Sequence, residues 1–328
     1  AKGPRGGGAR WRSHAFGLAL DAAFPLAGCA ENRDLGSRPV VRLELASRDA
    51  LEAAMGKAGR SVLIEERGPR GRVELRVETH PRKGCLFSSA AGGAFYVPAD
   101  GQTVRCAPAD SAPWRWQRHL VGQVLPFVAT LRGLEPFHAS AVALGGVAVG
   151  IIGSSGQGKS SVAAELVLAG AQFVADDVVA LEASGDGLVA HAGTGLITLR
   201  NVTIEKMGPA KVARLGTRVG RDAHSVRVAV DRHEQPLPFA ACYFLEAPAE
   251  SGRLHLEQLP TADPRLLLGS SFIGFGSPDR LARQFDVSAR LANTVRAVRV
   301  FMPASLDFAQ VAMRLRADTE GAAGGGPS

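Results

Sequence analysis

The sequence predicts an α/β fold in two parts, a smaller β-rich N-terminal module at residues 13–115 and a larger α/β domain at residues 116–318. Two observations predict this division. Apolar and polar residues alternate with period two in the first part, which is typical of half-buried strands. The second part alternates short apolar runs of strand length with segments of helical periodicity. A chain of 328 residues is long enough for two domains of ordinary size.

The N-terminal module is predicted from alternating segments at residues 40–45 and 72–78, separated by glycine and proline turn signals. No pattern in this module indicates a catalytic site. Residues 1–12 are rich in Gly and Arg, and residues 319–328 are rich in Gly and Ala. Both ends are therefore expected to be disordered tails.

A helix is predicted at residues 116–132, where the pattern changes from period two to the helical period. Its apolar face is formed by Leu120, Val124, Phe127, Val128 and Leu131. Gly133 is expected to follow its C-terminus, and Pro126 is expected to kink it. We interpret this helix as the junction between the two parts.

The second part contains the remaining predicted elements. Strands are predicted at residues 139–144, 146–152, 172–175, 178–181, 240–245 and 295–300, and helices at 160–169, 265–269 and 306–315. Asp263-Pro264 and Ser305 are the predicted starts of the last two helices. The turn signal at residues 184–187 predicts a hairpin that joins residues 179–181 to 188–190.

Composition disfavours several classes of function. The formal net charge is +7, but no run of Lys and Arg is interleaved with aromatic residues, so nucleic-acid binding is not expected. No apolar stretch reaches 18 residues, so no transmembrane helix is expected. The four cysteines have no CxxC spacing, which disfavours zinc sites and disulfides. Residues 26–29 are similar to a lipoprotein processing site, but Asp21 and Pro25 interrupt the preceding apolar stretch, so a cytoplasmic protein is expected.

A glycine loop carries the strongest chemical signal, because residues 153–160 satisfy the phosphate-binding pattern G-x-x-x-x-G-K-[ST]. An apolar strand precedes the loop and a helix follows it, so the alternative of a glycine turn that matches by coincidence is disfavoured. Backbone amides and the helix N-terminus attract phosphates, Lys159 adds a positive charge, and the Ser160 hydroxyl can bind Mg²⁺. The predicted ATP-binding residues are Gly153, Ser154, Ser155, Gly156, Gln157, Gly158, Lys159, Ser160 and Ser161.

Two adjacent carboxylates, Asp176 and Asp177, follow the predicted strand at residues 172–175. Such a pair is costly at a strand end unless a cation neutralises it or one group is protonated. Mg²⁺ supplies the first condition, and a shared proton or an acceptor hydroxyl supplies the second. A solvated turn is the alternative, but apolar runs on both sides favour a site. His138 precedes the strand expected beside the loop strand, although a lone histidine is more often structural.

These motifs resemble, in order and spacing, the HPr kinase/phosphorylase C-terminal domain, and most closely its lasso-peptide tailoring relatives. The motifs are Phe137-His138-Ala139-Ser140-Ala141-Val142, the loop at 153–160 and Ala175-Asp176-Asp177. The resemblance implies a P-loop kinase domain of the HPr kinase/phosphoenolpyruvate carboxykinase type, with a mixed or antiparallel sheet. It also implies that Lys159 and Ser160 hold the β- and γ-phosphates and Mg²⁺. Asp176 would be the general base and Asp177 would contact Mg²⁺ or His138, with the opposite assignment of the two aspartates also compatible.

The chain departs from HPr kinases after the acidic pair, where an Arg-Gly-Leu-Gly stretch is missing and residues 193–200 end in Arg200. Arg200 is expected either to steady phosphoryl charge or to be an ordinary surface arginine. The sequence therefore does not predict HPr itself as the acceptor, a reverse phosphorylase reaction or a hexamer. The N-terminal module is similar to the β-rich leader of the tailoring relatives.

The sequence as a whole predicts an ATP- and Mg²⁺-dependent kinase that phosphorylates a hydroxyl group of a peptide, small protein or small molecule. Catalytic roles are expected for Asp176, Asp177, His138 and Lys159, and metal contacts for Ser160 and Asp177. One alternative is a catalytically weak ATP-binding sensor or scaffold, since a fold does not determine a function. A carboxykinase acting on a C4 acid is disfavoured, because no dense set of Lys, His and Arg for a second metal is found. The oligomeric state is not predicted.

Overall fold

The computed structural model describes residues 10–32, 34–68, 71–109, 112–247, 252–261, 277–303 and 307–324. The chain divides into two compact units, Ala1–Arg132 and Gly133–Ser328. The boundary between the units lies after the helix predicted at 116–132. The boundary predicted from the sequence lies before this helix, at residue 116. The helix belongs to the first unit because Trp116 contacts the rings of Phe24 and Phe95, and Phe127 contacts the ring of Phe87.

The first unit is built on one eight-stranded sheet. Its strands are β1 (Trp11–Ala15), β2 (Leu18–Ala22), β3 (Val40–Leu45), β4 (Ser61–Arg67), β5 (Val73–His80), β6 (Gly84–Ser89), β7 (Gly93–Val97) and β8 (Thr103–Pro108). They lie in the order β1-β2-β3-β8-β7-β6-β5-β4, with β3 parallel to both neighbours. The strands predicted at 40–45 and 72–78 are present as β3 and β5. Residues 11 and 12, which were assigned to the N-terminal tail, pair in β1, while residues 1–9 lie outside the described residues.

Four helical segments of the first unit lie wholly within the described residues. They are α1 (Arg48–Met55), α2 (Pro113–His119), a π-helix (Leu120–Val124) and α3 (Leu125–Leu131). Ser47 caps α1 by accepting a hydrogen bond from the Ala50 amide. The predicted helix at 116–132 therefore contains a π-turn, in which the Leu125 amide donates to the Leu120 carbonyl five residues earlier. Pro126 follows directly after this π-turn, in a helical run that continues from α2 into α3.

The second unit contains twelve of the described strands. They are β9 (Glu135–Phe137), β10 (Ala139–Leu144), β11 (Val147–Ile152), β12 (Gln172–Ala175), β13 (Val179–Ser184), β14 (Gly187–His191), β15 (Leu196–Arg200), β16 (Thr217–Arg221), β17 (Ser225–Ala229), β18 (Leu237–Leu245), β19 (His255–Leu259) and β20 (Arg296–Phe301). A mixed sheet has the order β12-β10-β11-β18-β14-β13-β9, with β20 also paired to β18 and to β19. β11 lies antiparallel to β10 and parallel to β18. β15, β17 and β16 form a separate antiparallel sheet.

Helices cover the second unit's main sheet on both faces. They are α4 (Lys159–Leu168), α5 (Asn201–Leu215), α6 (Pro278–Thr294) and α7 (Phe308–Gly324). Alternate residues of β11 point to opposite faces: Val149 and Ile151 pack in the core that contains α4, α5 and α7, whereas Ala148 and Ile152 pack in the core that contains α6. β11 therefore holds the loop that follows it between two apolar layers.

Most predicted elements of the second part are present. The strands at 139–144 and 172–175 have the predicted bounds, and the hairpin at 184–187 joins β13 to β14. The helix predicted at 265–269 and the predicted helix starts at Pro264 and Ser305 lie outside the described residues. Among the residues that the structure describes, no helix is long and apolar enough to cross a membrane. The four cysteines are buried and are not joined in disulfides.

The C-terminal tail predicted at 319–328 is helical as far as Gly324, while residues 325–328 lie outside the described part of the chain. The helix continues because its residues are anchored. Tyr243 of β18 is fully buried, and its hydroxyl contacts Asp318 Oδ2 at 2.7 Å and Thr319 Oγ1 at 2.8 Å. Alanine, which favours helix, further supports this end of α7.

A buried ion pair joins α6 to the strand that begins the second unit. Glu135 of β9 is completely buried and accepts hydrogen bonds from Arg280 Nη2 at 2.8 Å and Gln284 Nε2 at 3.0 Å. Arg280 is itself buried. Because both partners are removed from water, loss of one leaves a desolvated charge.

We expect Glu135→Ala to lower the free energy of unfolding by about 3–5 kcal/mol, because Arg280 then loses this carboxylate. Chemical denaturation followed by circular dichroism measures the change. Asp286→Ala is the matched control, since Asp286 forms a half-exposed pair with Arg290 on the same helix and should cost less than about 1 kcal/mol. Equal losses in the two variants would contradict the buried pair's importance.

Candidate functional site

The glycine loop lies between β11 and α4, as the sequence predicts. Gly156 and Gly158 have φ of +90° and +96°, a region that favours glycine. A Cβ at Gly158 would lie 2.3 Å from the Phe308 ring, so the loop passes too close to α7 for a larger residue. α4 begins immediately after Gly158, and its first amide groups are available to an anion at the end of the loop.

The Lys159 side chain is folded over the loop. It is 7% exposed, and Nζ donates to the carbonyl oxygens of Gly153 at 2.8 Å and Ser154 at 3.3 Å. Burial lowers the pKa of Lys159, and the nearby charge of Arg200 lowers it further, whereas the carboxylates of Asp177 and Asp176 raise it. The ammonium group is therefore held at the loop and has oxygen atoms as its partners.

Asp176 is joined to three elements through its carboxylate. Oδ1 accepts hydrogen bonds from Ser140 Oγ of β10 at 2.6 Å and from Ser160 Oγ of α4 at 2.7 Å, and Oδ2 accepts from the Thr198 amide of β15 at 2.9 Å. Burial raises the pKa of Asp176, as does the charge of Asp177, while these three hydrogen bonds oppose the increase. The contact with Ser160 brings the acidic pair directly to the phosphate loop.

Asp177 pairs with His138. Its Oδ1 lies 3.3 Å from His138 Nδ1, and the two side chains are 62% and 41% exposed. Asp177 has a φ of +71°, a left-handed conformation that Asp tolerates better than most residues. This backbone turn sends two adjacent carboxylates to different surroundings, one on the loop helix and one in solvent.

Arg200 lies against the phosphate loop, whereas the Ser161 side chain contacts α5. The Arg200 guanidinium lies beside Gly156, where a Cβ would be 3.1 Å from Nη2. Of the two roles considered from the sequence, this position favours contact with phosphoryl charge. Ser161, predicted among the ATP-binding residues, is buried and its hydroxyl lies 3.1 Å from that of Thr203 on α5.

Sequence reasoning gave no role to Ser140 or to the Thr198 amide. Ser140 lies within the quoted motif at residues 137–142, so its position beside His138 was the only available signal. Thr198 acts through its backbone, and its approach to Asp176 depends on how the β15 sheet packs, which the sequence pattern does not show.

The residues present fit a magnesium ion. The three donors to Asp176 are neutral groups, so this carboxylate would gain from a bound cation. Within the described ranges, no three His, Cys, Asp or Glu side chains gather as a metal site. Mg²⁺ needs no such cage in nucleotide sites, because one or two protein oxygens, water and phosphates complete its coordination. Ser160 and Asp176 are the side chains that would hold it.

Known proteins are similar to the part of the chain that carries this site. Residues 130–231 match the family model described as HPr Serine kinase C-terminal domain. HPr kinase/phosphorylase proteins of Pelodictyon phaeoclathratiforme and Chlorobium limicola are each 38% identical over 98 residues, which is 30% of this chain. The matched segment spans 30% of the length of each of these two relatives.

A solved HPr(Ser) kinase/phosphatase structure from Coxiella burnetii matches 57% of this chain and 95% of its own, with 14% identity and a TM-score of 0.30. The family match rests on the sequence comparisons, and its residues include His138, the glycine loop, both aspartates and Arg200. Residues 130–231 of this chain are therefore confirmed to resemble the HPr Serine kinase C-terminal domain, as the three motifs predict.

Proposed function

We propose that the chain is an ATP- and Mg²⁺-dependent kinase that transfers the γ-phosphoryl group to a hydroxyl acceptor. The observation that carries this proposal is the 2.7 Å hydrogen bond between Ser160 of the phosphate loop and Asp176 of the acidic pair. It joins the residues that would bind polyphosphate to the residues that would handle metal and proton. A glycine turn with only a structural role would not require a hydrogen bond between Ser160 and Asp176.

Lys159 and the amides at the start of α4 bind the phosphates. The ammonium group exchanges its carbonyl partners, Gly153 and Ser154, for β- and γ-phosphate oxygens. Ser160 and Asp176 would hold Mg²⁺, which would supply positive charge against the negative charge that develops in the transition state. Arg200 stands beside Gly156 and adds positive charge on the other side of the loop.

The geometry supports an exchange of the two aspartate roles expected from the resemblance. Asp176 contacts the Ser160 hydroxyl, so it belongs on the metal side. Asp177 is exposed to an incoming acceptor, and His138 orients it from 3.3 Å. Asp177 then accepts the hydroxyl proton as the acceptor oxygen attacks the γ-phosphorus and the bond to the β-phosphate oxygen breaks.

A seryl hydroxyl on a peptide or small protein is the acceptor we propose, since the matching relatives are named for HPr and the family description names serine. The test is incubation with ATP, Mg²⁺ and either HPr or a panel of seryl peptides, with mass spectrometry of the products. A phosphate adduct on serine supports the proposal. Tight ATP binding without any adduct or phosphate release would favour the sensor alternative.

The aspartate pair gives a prediction that separates binding from chemistry. Asp177→Asn should retain Mg²⁺-dependent ATP affinity and lose at least ~10²-fold in turnover, because the base is gone. Asp176→Asn should weaken Mg²⁺-dependent ATP binding itself, because the metal-side carboxylate is lost. Isothermal titration calorimetry and phosphate release measure the two effects. The reverse pattern would restore Asp176 as the base.

Arg200→Ala should lower kcat/KM by about tenfold or more, because positive charge beside the loop is removed where phosphoryl charge develops. Steady-state kinetics measures the change. Arg214→Ala is the matched control, since Arg214 is an exposed arginine in the last turn of α5 and should leave the rate unchanged. An unchanged rate in Arg200→Ala would make Arg200 an ordinary surface residue.

A further inference from the structure

A cavity of about 260 Å³ opens beside the start of α4, close to the size at which small-molecule sites begin. Its walls come from three helices of the second unit. The lining residues are Ser161, Glu165, Thr203, Lys206, Met207, Asp307 and Phe308. None of the residues assigned above to metal or proton handling lines it, so the cavity is chemically separate from the transfer site.

The cavity begins where the phosphate loop ends. Ser161 follows Ser160 directly in the first turn of α4, and the Phe308 ring lies against Gly158 of the loop. Glu165 lies one helical turn beyond Ser161 and is fixed by Lys211, whose Nζ lies 3.0 Å from Oε1. The cavity therefore adjoins the end of the loop at which phosphates would lie.

The lining chemistry matches a nucleoside. The Phe308 ring and the Met207 thioether offer apolar surface for a flat aromatic base, and both side chains are only partly buried. Asp307, which is exposed, and the Thr203 hydroxyl offer polar partners for sugar hydroxyls or for the edges of the base. A wholly apolar ligand would form no hydrogen bonds with these two polar groups.

We propose that this cavity binds the adenosine part of ATP, with Phe308 and Met207 against the base and with polar contacts from Thr203 and Asp307. The inference rests on the proposed function, because it places the nucleoside next to polyphosphate on the loop. It assigns nucleotide selectivity to α5 and α7, which carry no residue of the phosphate-binding motif. Phe308 is thus assigned to recognition of the base.

Calorimetric titration with ATP and with inorganic tripolyphosphate, both with Mg²⁺, tests this assignment. The native chain should bind ATP more tightly than tripolyphosphate. Phe308→Ala should weaken ATP binding about tenfold, the scale of losing one base–aromatic contact, while tripolyphosphate affinity stays within about twofold. Met207→Trp, which fills the cavity from α5, should have the same selective effect and keeps the test decisive if Phe308→Ala does not fold.

Phe285→Ala is the matched control, because Phe285 is 79% exposed on α6 and does not line the cavity. It should leave both affinities unchanged. Equal weakening of ATP and tripolyphosphate by Phe308→Ala would overturn the inference and leave Phe308 as a support of the loop. Native binding of tripolyphosphate as tight as that of ATP would also overturn it while sparing the proposed function. Binding of neither ligand would overturn both.

Discussion

The site depends on one partly buried carboxylate. Asp176 receives hydrogen bonds from Ser140 of β10, Ser160 of α4 and the Thr198 amide of β15. These donors lie far apart in the sequence, so the carboxylate fixes the position of the loop helix relative to two sheets. Burial raises the pKa of Asp176, so its negative charge is costly here and a nearby cation would stabilise it.

The backbone turn at Asp177 accompanies different surroundings for the two adjacent carboxylates. β12 ends at Ala175, so Asp176 and Asp177 lie just beyond the strand. Asp177 has a positive φ, in the left-handed region, and the chain turns there. The turn leaves Asp177 accessible beside His138, while Asp176 stays with the Ser160 hydroxyl. Strained backbone of this kind is found most often at functional sites.

The local elements were predictable because their signals are local. The phosphate-loop pattern and the apolar run before it located β11, the loop and α4, and the apolar run at 139–144 gave β10 with its observed bounds. The π-helix at Leu120–Val124 was not predicted, because its wide turn leaves the apolar periodicity almost unchanged. The Asp176 contacts were also missed, since they depend on packing between distant strands. The end of α7 was also missed, because composition assigns residues 319–328 to a tail, whereas the contacts of Tyr243 with Asp318 and Thr319 anchor the helix there.

The distribution of exposure separates the capacity to bind from the capacity to transfer. Lys159 and Asp176 are sheltered, whereas Asp177 and His138 are more exposed. A chain with this fold could keep the sheltered side and bind nucleotide after losing the exposed pair. In the proposed kinase, Asp177 beside His138 is the feature that a nucleotide sensor would not need, because binding a nucleotide requires no general base.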